Sequence, residues 1–245
     1  ITEIDGRIFR DRIGEEGCIV IGGPPCQAYS MAGRGKLRSL GENRINTKDA
    51  RGYLYQDFLR FVFDMDARAV VMENVPESTD FGGKNIPELV CKELTEHEYM
   101  AYWTVLNSAD YGVPQVRERV FVIAIKNDEN KNVELPIPTN KSITDELTQH
   151  QKRFEGYKTC EFFKEPNGTE GIKKTWTTVG DAFSDLPELF PTADTKYKAI
   201  GLNIEYPYKS AAQNEFQTIM RNWYGKETYG VSANSFRRNT RDFPI

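Results

Sequence analysis

The chain has 245 residues, with 32 lysines and arginines against 36 aspartates and glutamates, a formal net charge of −4. Hydrophobic residues make up 39% and aromatic residues 12%, which supports a packed core and excludes a disordered composition. The charge balance excludes a protein coated in basic residues but not local basic patches; no apolar run reaches the length of a membrane span, and the first residues do not read as a signal peptide.

Four cysteines (Cys18, Cys26, Cys91 and Cys160) lack paired spacing, so a reducing compartment is expected rather than a disulfide framework. Only His97 and His150 occur and no Cys-x-x-Cys pair, so no zinc site is expected. The chain opens on Ile1-Thr2-Glu3, which reads as a fragment or a processed chain.

The first element is a short apolar run, Cys18 to Ile21, that ends in Gly22-Gly23-Pro24-Pro25 and delivers Cys26. Such a run bounded by breakers reads as a buried strand, and the two prolines stiffen the loop after it. Alone, Cys26 reads as a small buried hydrophobe. A thiol just past the carboxyl end of a buried strand is also where α/β proteins place reactive groups. From Ala28 to Arg51 there is almost no apolar periodicity, and six cations (Arg34, Lys36, Arg38, Arg44, Lys48, Arg51) face only Glu42 and Asp49. This segment reads either as a solvated surface loop or as a mobile lid that lays cations along a phosphate backbone.

Between Gly52 and Asp66, Leu54, Phe58, Phe61, Val62 and Met65 recur at helical spacing. Ala69 to Met72 follows as a second buried strand and runs into Glu73-Asn74-Val75-Pro76. Strand, helix, strand in this order is a right-handed crossover, so the two strands are parallel and Cys26 and Glu73, each just past its strand, face one crevice. Pro87 to Leu94 reads as a helix, Tyr99 to Leu106 as a third strand and Val120 to Ile125 as a fourth, antiparallel to the third. Gln115, Arg117 and Arg119 then lie at the mouth of the crevice, their two-residue spacing placing them on one side of an extended chain. Two arginines there call for an anionic or carbonyl-rich partner. Beyond residue 126 the chain is polar and irregular, and its last forty residues interleave Arg221, Arg237, Arg238 and Arg241 with Trp223, Tyr224, Tyr229 and Phe236. That mixture suits either nucleic-acid binding or the packing of a small subdomain.

Pro25-Cys26-Gln27, Glu73-Asn74-Val75 and Gln115-x-Arg117-x-Arg119, in that order and each at a strand end, resemble the C5-cytosine DNA methyltransferases. Asp49-x-Arg51-Gly52-x-Leu54 and the stretch Thr178 to Pro187 resemble further segments of that family. The resemblance implies an α/β fold: a Rossmann-like S-adenosylmethionine methyltransferase sheet, incomplete in this chain, with an antiparallel last strand and an irregular segment leading into a target-recognition domain. Residues 1–126 would be the catalytic half, 127–200 an irregular linker or insertion packed on it, and 201–245 the start of target recognition. The family's Phe-x-Gly-x-Gly cofactor loop is not found in these residues, so the natural protein is expected to extend beyond both ends.

The resemblance implies methyl transfer from S-adenosylmethionine to carbon 5 of cytosine in double-stranded DNA, by a modification methylase acting on a flipped-out base. Cys26 would be the nucleophile at carbon 6 and Glu73 the general acid at ring nitrogen 3, with Asn74 holding the loop. Arg119 would bind the cytosine carbonyl, with Arg117 and Gln115 ordering the pocket. Ile1, Pro25, Gln27 and Leu54 would line the cofactor side, and Ser30, Arg34, Lys36, Arg38 and Arg51 would meet DNA. A monomer without metal or membrane attachment, in the cytoplasm of a prokaryote and on its nucleoid, is expected. Three other readings stand beside this one. The first is a tRNA or RNA cytosine methyltransferase, and the second a non-catalytic DNA-binding or regulatory fragment. The third is a cysteine hydrolase, for which His97 and His150 offer no recognisable base.

Overall fold

Alternation along the strands decides which way everything else faces. In the computed structural model, which describes residues 2–14, 17–26, 29, 50–127, 132–142, 154–166, 171–172, 174–186, 205–222 and 230–232, strand β2 (Ala69–Asn74) buries Val70, Met72 and Asn74. Ala69, Val71 and Glu73 point to the other face and stay half-buried. Strand β1 (Ile19–Gly22) pairs in parallel with β2, from Ile19 opposite Ala69 to Gly22 opposite Met72. Strands β3 (Tyr99–Asn107) and β4 (Glu118–Lys126) form an antiparallel pair, and β4 inserts between β3 and β2 to give the order β1-β2-β4-β3. The sheet is therefore mixed rather than mainly parallel. β1, β2 and β3 point the same way, but only β1 and β2 are parallel neighbours.

Two helices cover the buried face. Helix α2 (Leu54–Asp64) turns Tyr55, Phe58, Leu59 and Val62 inward, the i, i+3, i+4, i+7 stripe that its sequence shows. It is shorter than the helical stretch read from sequence because Ala50–Tyr53 forms a 3-10 turn before it, and Asp66 takes a left-handed φ of 50° after it. Helix α3 (Ile86–Glu96) is capped by the Asn85 side chain, which accepts from Glu88 N at 3.2 Å, and buries Ile86, Val90, Cys91 and Leu94. A first helix, α1 (Arg7–Ile13), has no counterpart in the apolar periodicity, because none of its residues is buried. It is fastened instead through Gly6, whose N–H donates to Asp64 Oδ2 at 3.3 Å, and through Phe9 set edge-on to Phe61.

The two sheet edges differ. Among the described residues β1 has no second partner, and Ile19 and Ile21 are 63% and 75% exposed. The edge at β3 is covered: Trp103 N donates to Phe162 O at 2.9 Å and Lys164 N donates to Trp103 O at 3.0 Å. Glu88 closes this clasp. One carboxylate oxygen accepts from Trp103 Nε1 at 2.5 Å, and the other accepts from the backbone N–H groups of Glu161 and Phe162 at 2.7 and 3.3 Å.

The chain divides into two compact units, Ile1–Tyr111 with Val116–Thr175, and Gly112–Gln115 with Trp176–Ile245. The first also holds the two-residue parallel pair β5 (Asn140–Lys141) and β6 (Lys174–Thr175). In the second, helix α4 (Val179–Phe183) begins with a reciprocal cap between Thr178 and Asp181. Strands β7 (Glu205–Pro207) and β8 (Gly230–Ser232) pair antiparallel, and helix α5 (Glu215–Arg221) is capped by Asn214. Arg221 is sandwiched there: its guanidinium donates to the buried Asp185 carboxylate at 3.1 Å and lies 3.9 Å above the Tyr208 ring. No described helix is long and apolar enough to cross a membrane.

Glu88→Ala strands three donors at once and is expected to destabilise the fold by about 2–3 kcal/mol, the range for hydrogen bonds to a charged group. Glu88→Gln, which keeps one acceptor, should cost less. Urea unfolding measures both, and a loss under ~0.5 kcal/mol for the alanine variant would show that the clasp does not hold the β3 edge.

Candidate active site

Of the residues singled out from sequence, Glu73, Asn74 and Arg119 lie where β2 ends and β4 begins, beside the loop from β1 that carries Cys26. Glu73 and Asn74 are the last two residues of β2, not residues beyond it, and the strand's alternation sends them to opposite faces. Asn74 is buried on the helix side, where its Oδ1 accepts from Val75 N at 2.8 Å and its Nδ2 donates to Pro24 O at 3.3 Å. The amide thereby ties the end of β2 to the loop that carries Cys26.

Glu73 points to the other face. In the register Glu73 lies opposite Phe121, so Arg119, two residues earlier on β4, is its diagonal neighbour on that face. The guanidinium meets it: Arg119 Nε donates to Glu73 Oε1 at 2.7 Å, and Arg119 Nη1 donates to the Glu118 carbonyl at 2.7 Å. Both groups are half-buried, so the pair is accessible from solvent and its guanidinium is held at two of its nitrogens.

The two glycines at the end of β1, Gly22 its last residue and Gly23 the next, serve close approach on opposite sides. A Cβ on Gly22 would lie 2.7 Å from the Phe58 ring of α2, and one on Gly23 would lie 3.3 Å from Glu73 Oε2. Gly23 thus lets the backbone of the Cys26 loop lie against the Glu73 carboxylate. Cys26 follows three residues later and is half-buried. Pro25 is exposed, and Leu54, at the start of α2, is half-buried.

Arg117 is exposed, and its backbone N–H donates to Asn107 Oδ1 at 3.1 Å, which fastens the start of β4 to the end of β3. Gln115 does not share an extended chain with the two arginines: β4 begins only at Glu118, and Gln115 lies in a bend where its N–H donates to Val113 O at 2.7 Å. It belongs to the second compact unit. Ile1, Gln27, Ser30, Arg34, Lys36 and Arg38 lie outside the described residues, as does the side chain of Arg51. Sequence reading passed over Tyr29, Gly23 and Asn107. The doubled Gly-Gly was the available signal for the close approach.

Asn74→Ala leaves Val75 N and Pro24 O without their partner and should cost about 1–3 kcal/mol in urea unfolding, the range for an unsatisfied buried polar group. An unchanged midpoint would mean that the amide does not tether the loop.

The C-5 cytosine-specific DNA methylase family matches residues 1–243. M.OihORF3336P of Oceanobacillus iheyensis is 45% identical over 240 residues, which are 97% of this chain and 52% of that protein. The type II methyltransferase M.AquIA of Picosynechococcus is 31% identical over 206 residues, 80% of this chain and 69% of its own. The type II methyltransferase M.HhaI of Haemophilus parahaemolyticus is 36% identical over 139 residues, 56% of this chain and 38% of its own. The chain thus spans about half the length of the first of these relatives and less of the last. With a family match along nearly its whole length, the chain belongs to the C-5 cytosine-specific DNA methylases.

Proposed function

We propose that the protein transfers a methyl group from S-adenosylmethionine to carbon 5 of cytosine in double-stranded DNA, as the modification enzyme of a restriction-modification system in a prokaryotic cytoplasm. The observation that carries this reading is the Glu73–Arg119 pair on the open sheet face, with the backbone leading to Cys26 laid against the Glu73 carboxylate.

The chemistry follows from what cytosine lacks. Carbon 5 is too poor a nucleophile to take a methyl group directly. Addition of the Cys26 thiolate to carbon 6 forms a carbon–sulfur bond and moves the ring's double-bond electrons toward carbon 5, splitting one hard step into two. Glu73, in its protonated carboxyl form, donates a hydrogen bond at ring nitrogen 3 and Arg119 binds the neighbouring carbonyl oxygen, so both relieve charge that builds on the ring during addition. Carbon 5 takes the methyl group as the donor's sulfur–methyl bond breaks and leaves a neutral thioether; water or a solvent base then takes the proton from carbon 5, and the electrons of that bond return to the ring and expel the thiolate. The base must leave the duplex to reach these groups. Ser30, Arg34, Lys36, Arg38 and Arg51 supply DNA contacts, while Arg117 orders the pocket. Pro25 and Leu54 offer apolar surface to the methyl donor, with Ile1 and Gln27 completing that side. When bound, the donor supplies the methyl group as an electrophile.

In the full-length enzyme Cys26→Ser should abolish methylation, because a serine hydroxyl is a far weaker acid than a thiol and supplies far less of its anion at neutral pH. DNA binding should survive, since phosphate contacts come from other residues. Duplex carrying 5-fluorocytosine should trap the wild-type enzyme on a denaturing gel, because fluorine blocks proton loss from carbon 5. An active enzyme that gave no covalent band, or one undiminished by Cys26→Ser, would refute the assignment.

Gly23→Ala pushes on a carboxylate pinned by Arg119, on a face that carries little of the core. It should lower kcat about 10²-fold or more, the scale of one displaced acid–base group, and leave stability within about 0.5 kcal/mol. Parallel kinetics and urea unfolding check the two halves; equal losses in both would place Gly23 in the fold rather than the site.

A further inference from the structure

Tyr29 stands out within a segment whose composition is polar and cationic: it is 2% exposed. A large side chain with a hydroxyl is buried this completely only when its ring and its O–H both have partners. Both do. The ring meets Phe81 edge-on at 4.9 Å, and Phe81 in turn meets Tyr53 edge-on at 6.1 Å. Phe81 is itself held by reciprocal backbone hydrogen bonds with Lys84 at 2.9 and 3.2 Å. The hydroxyl donates to the carbonyl of Gly52, which is also buried and lies 23 residues along the chain. The Tyr29 N–H donates to Cys26 O at 2.9 Å and closes a tight turn on the cysteine.

One residue therefore joins three connections: the loop after β1, the 3-10 turn before α2 and the turn after β2. We propose that Tyr29 is a positioning residue for Cys26, its hydroxyl bond to Gly52 and its ring contact with Phe81 fixing the turn that carries the thiol. The proposal rests on the reading of Cys26 as the nucleophile and adds a residue that touches neither base nor cofactor. Asn74 restrains the same loop from the other side, through Pro24 O. Cys26 thus lies between two tethers, Asn74 holding the Pro24 carbonyl before it and Tyr29 holding its own carbonyl. Burial pushes the Tyr29 phenol well above its ordinary value, which favours the protonated hydroxyl that donates to Gly52. A nucleophile must sit within a few tenths of an ångström of its attack path, and a 1 Å displacement from a remote change costs about 10²-fold in rate.

Tyr29→Phe in the full-length protein keeps the ring contact and deletes only the hydroxyl. The expected result is a fall in kcat of about 10-fold, a KM for DNA within about 2-fold of wild type, and slowing of adduct formation with 5-fluorocytosine duplex by the same factor as kcat, the signature of a lost transition-state alignment. Phe81→Leu, which removes the edge-on contact but keeps apolar fill, should shift the same quantities in the same direction by less. Iodoacetamide labelling mapped to Cys26 by mass spectrometry reads the tether without methyl transfer. Loosening of the turn should speed alkylation of the half-buried thiol several-fold in both variants. Unchanged kcat together with unchanged labelling overturns the proposal, as does a change confined to KM for DNA. If the wild-type enzyme methylates no cytosine while the labelling still responds to Tyr29→Phe, the functional reading fails and the tether stands.

Discussion

The reversal of one strand is the constraint on which the site depends. β4 lies between β2 and β3 and runs against both, so its first residues arrive at the edge where β1 and β2 finish. A parallel strand in that place would start at the opposite edge and carry Arg119 away from Glu73 by the length of the sheet. The register then sets the fine geometry. With Asn74 opposite Val120, Arg119 falls on Glu73's face and within reach of its carboxylate. A slip of one residue would turn the arginine into the core.

The two faces of the sheet carry different kinds of residue. Its buried side holds α2 and α3 through Val70, Met72, Val120, Val122 and Trp103, and there the sole polar residue from the end of β2 is Asn74, fully engaged with backbone. The other side carries Glu73 and Arg119 beside half-buried apolar residues. Alternation along β2 sends consecutive residues to different partners: Glu73 to the ion pair with Arg119 on the open face, Asn74 to the backbone bonds that hold the cysteine loop.

Much of this was legible in the sequence because apolar runs and breakers mark strands, although the run at β1 read as buried and its Ile19 and Ile21 are exposed. The strands around Val20, Val70, Val105 and Val122 and the stripe of α2 follow from spacing alone, and so does the antiparallel reversal forced by a short link. What escaped were features whose cause is tertiary. α1 buries nothing and leaves no periodic trace. Glu88 reads as a solvated first-turn acid until Trp103 and the 161–162 backbone are seen to converge on it. The spacing of Gln115, Arg117 and Arg119 implied an extended chain, but a strand needs a partner opposite each residue, and pairing in β4 begins at Glu118. Tyr29 looked like one more residue of a basic loop because nothing local announces a bond to Gly52.

The adjacent glycines at the end of β1 carry a genetic consequence. A side chain at 22 would strike the Phe58 ring of α2, whereas one at 23 would press on a carboxylate held by Arg119. Damage at the first position is a problem of volume, so a smaller residue at 58 could compensate it and second-site suppressors should cluster in the helix. Damage at the second displaces charge on the open face, which no repacking of the core can restore. Two neighbouring glycines that look interchangeable in the sequence should therefore differ completely in whether evolution can retrace a step taken at each.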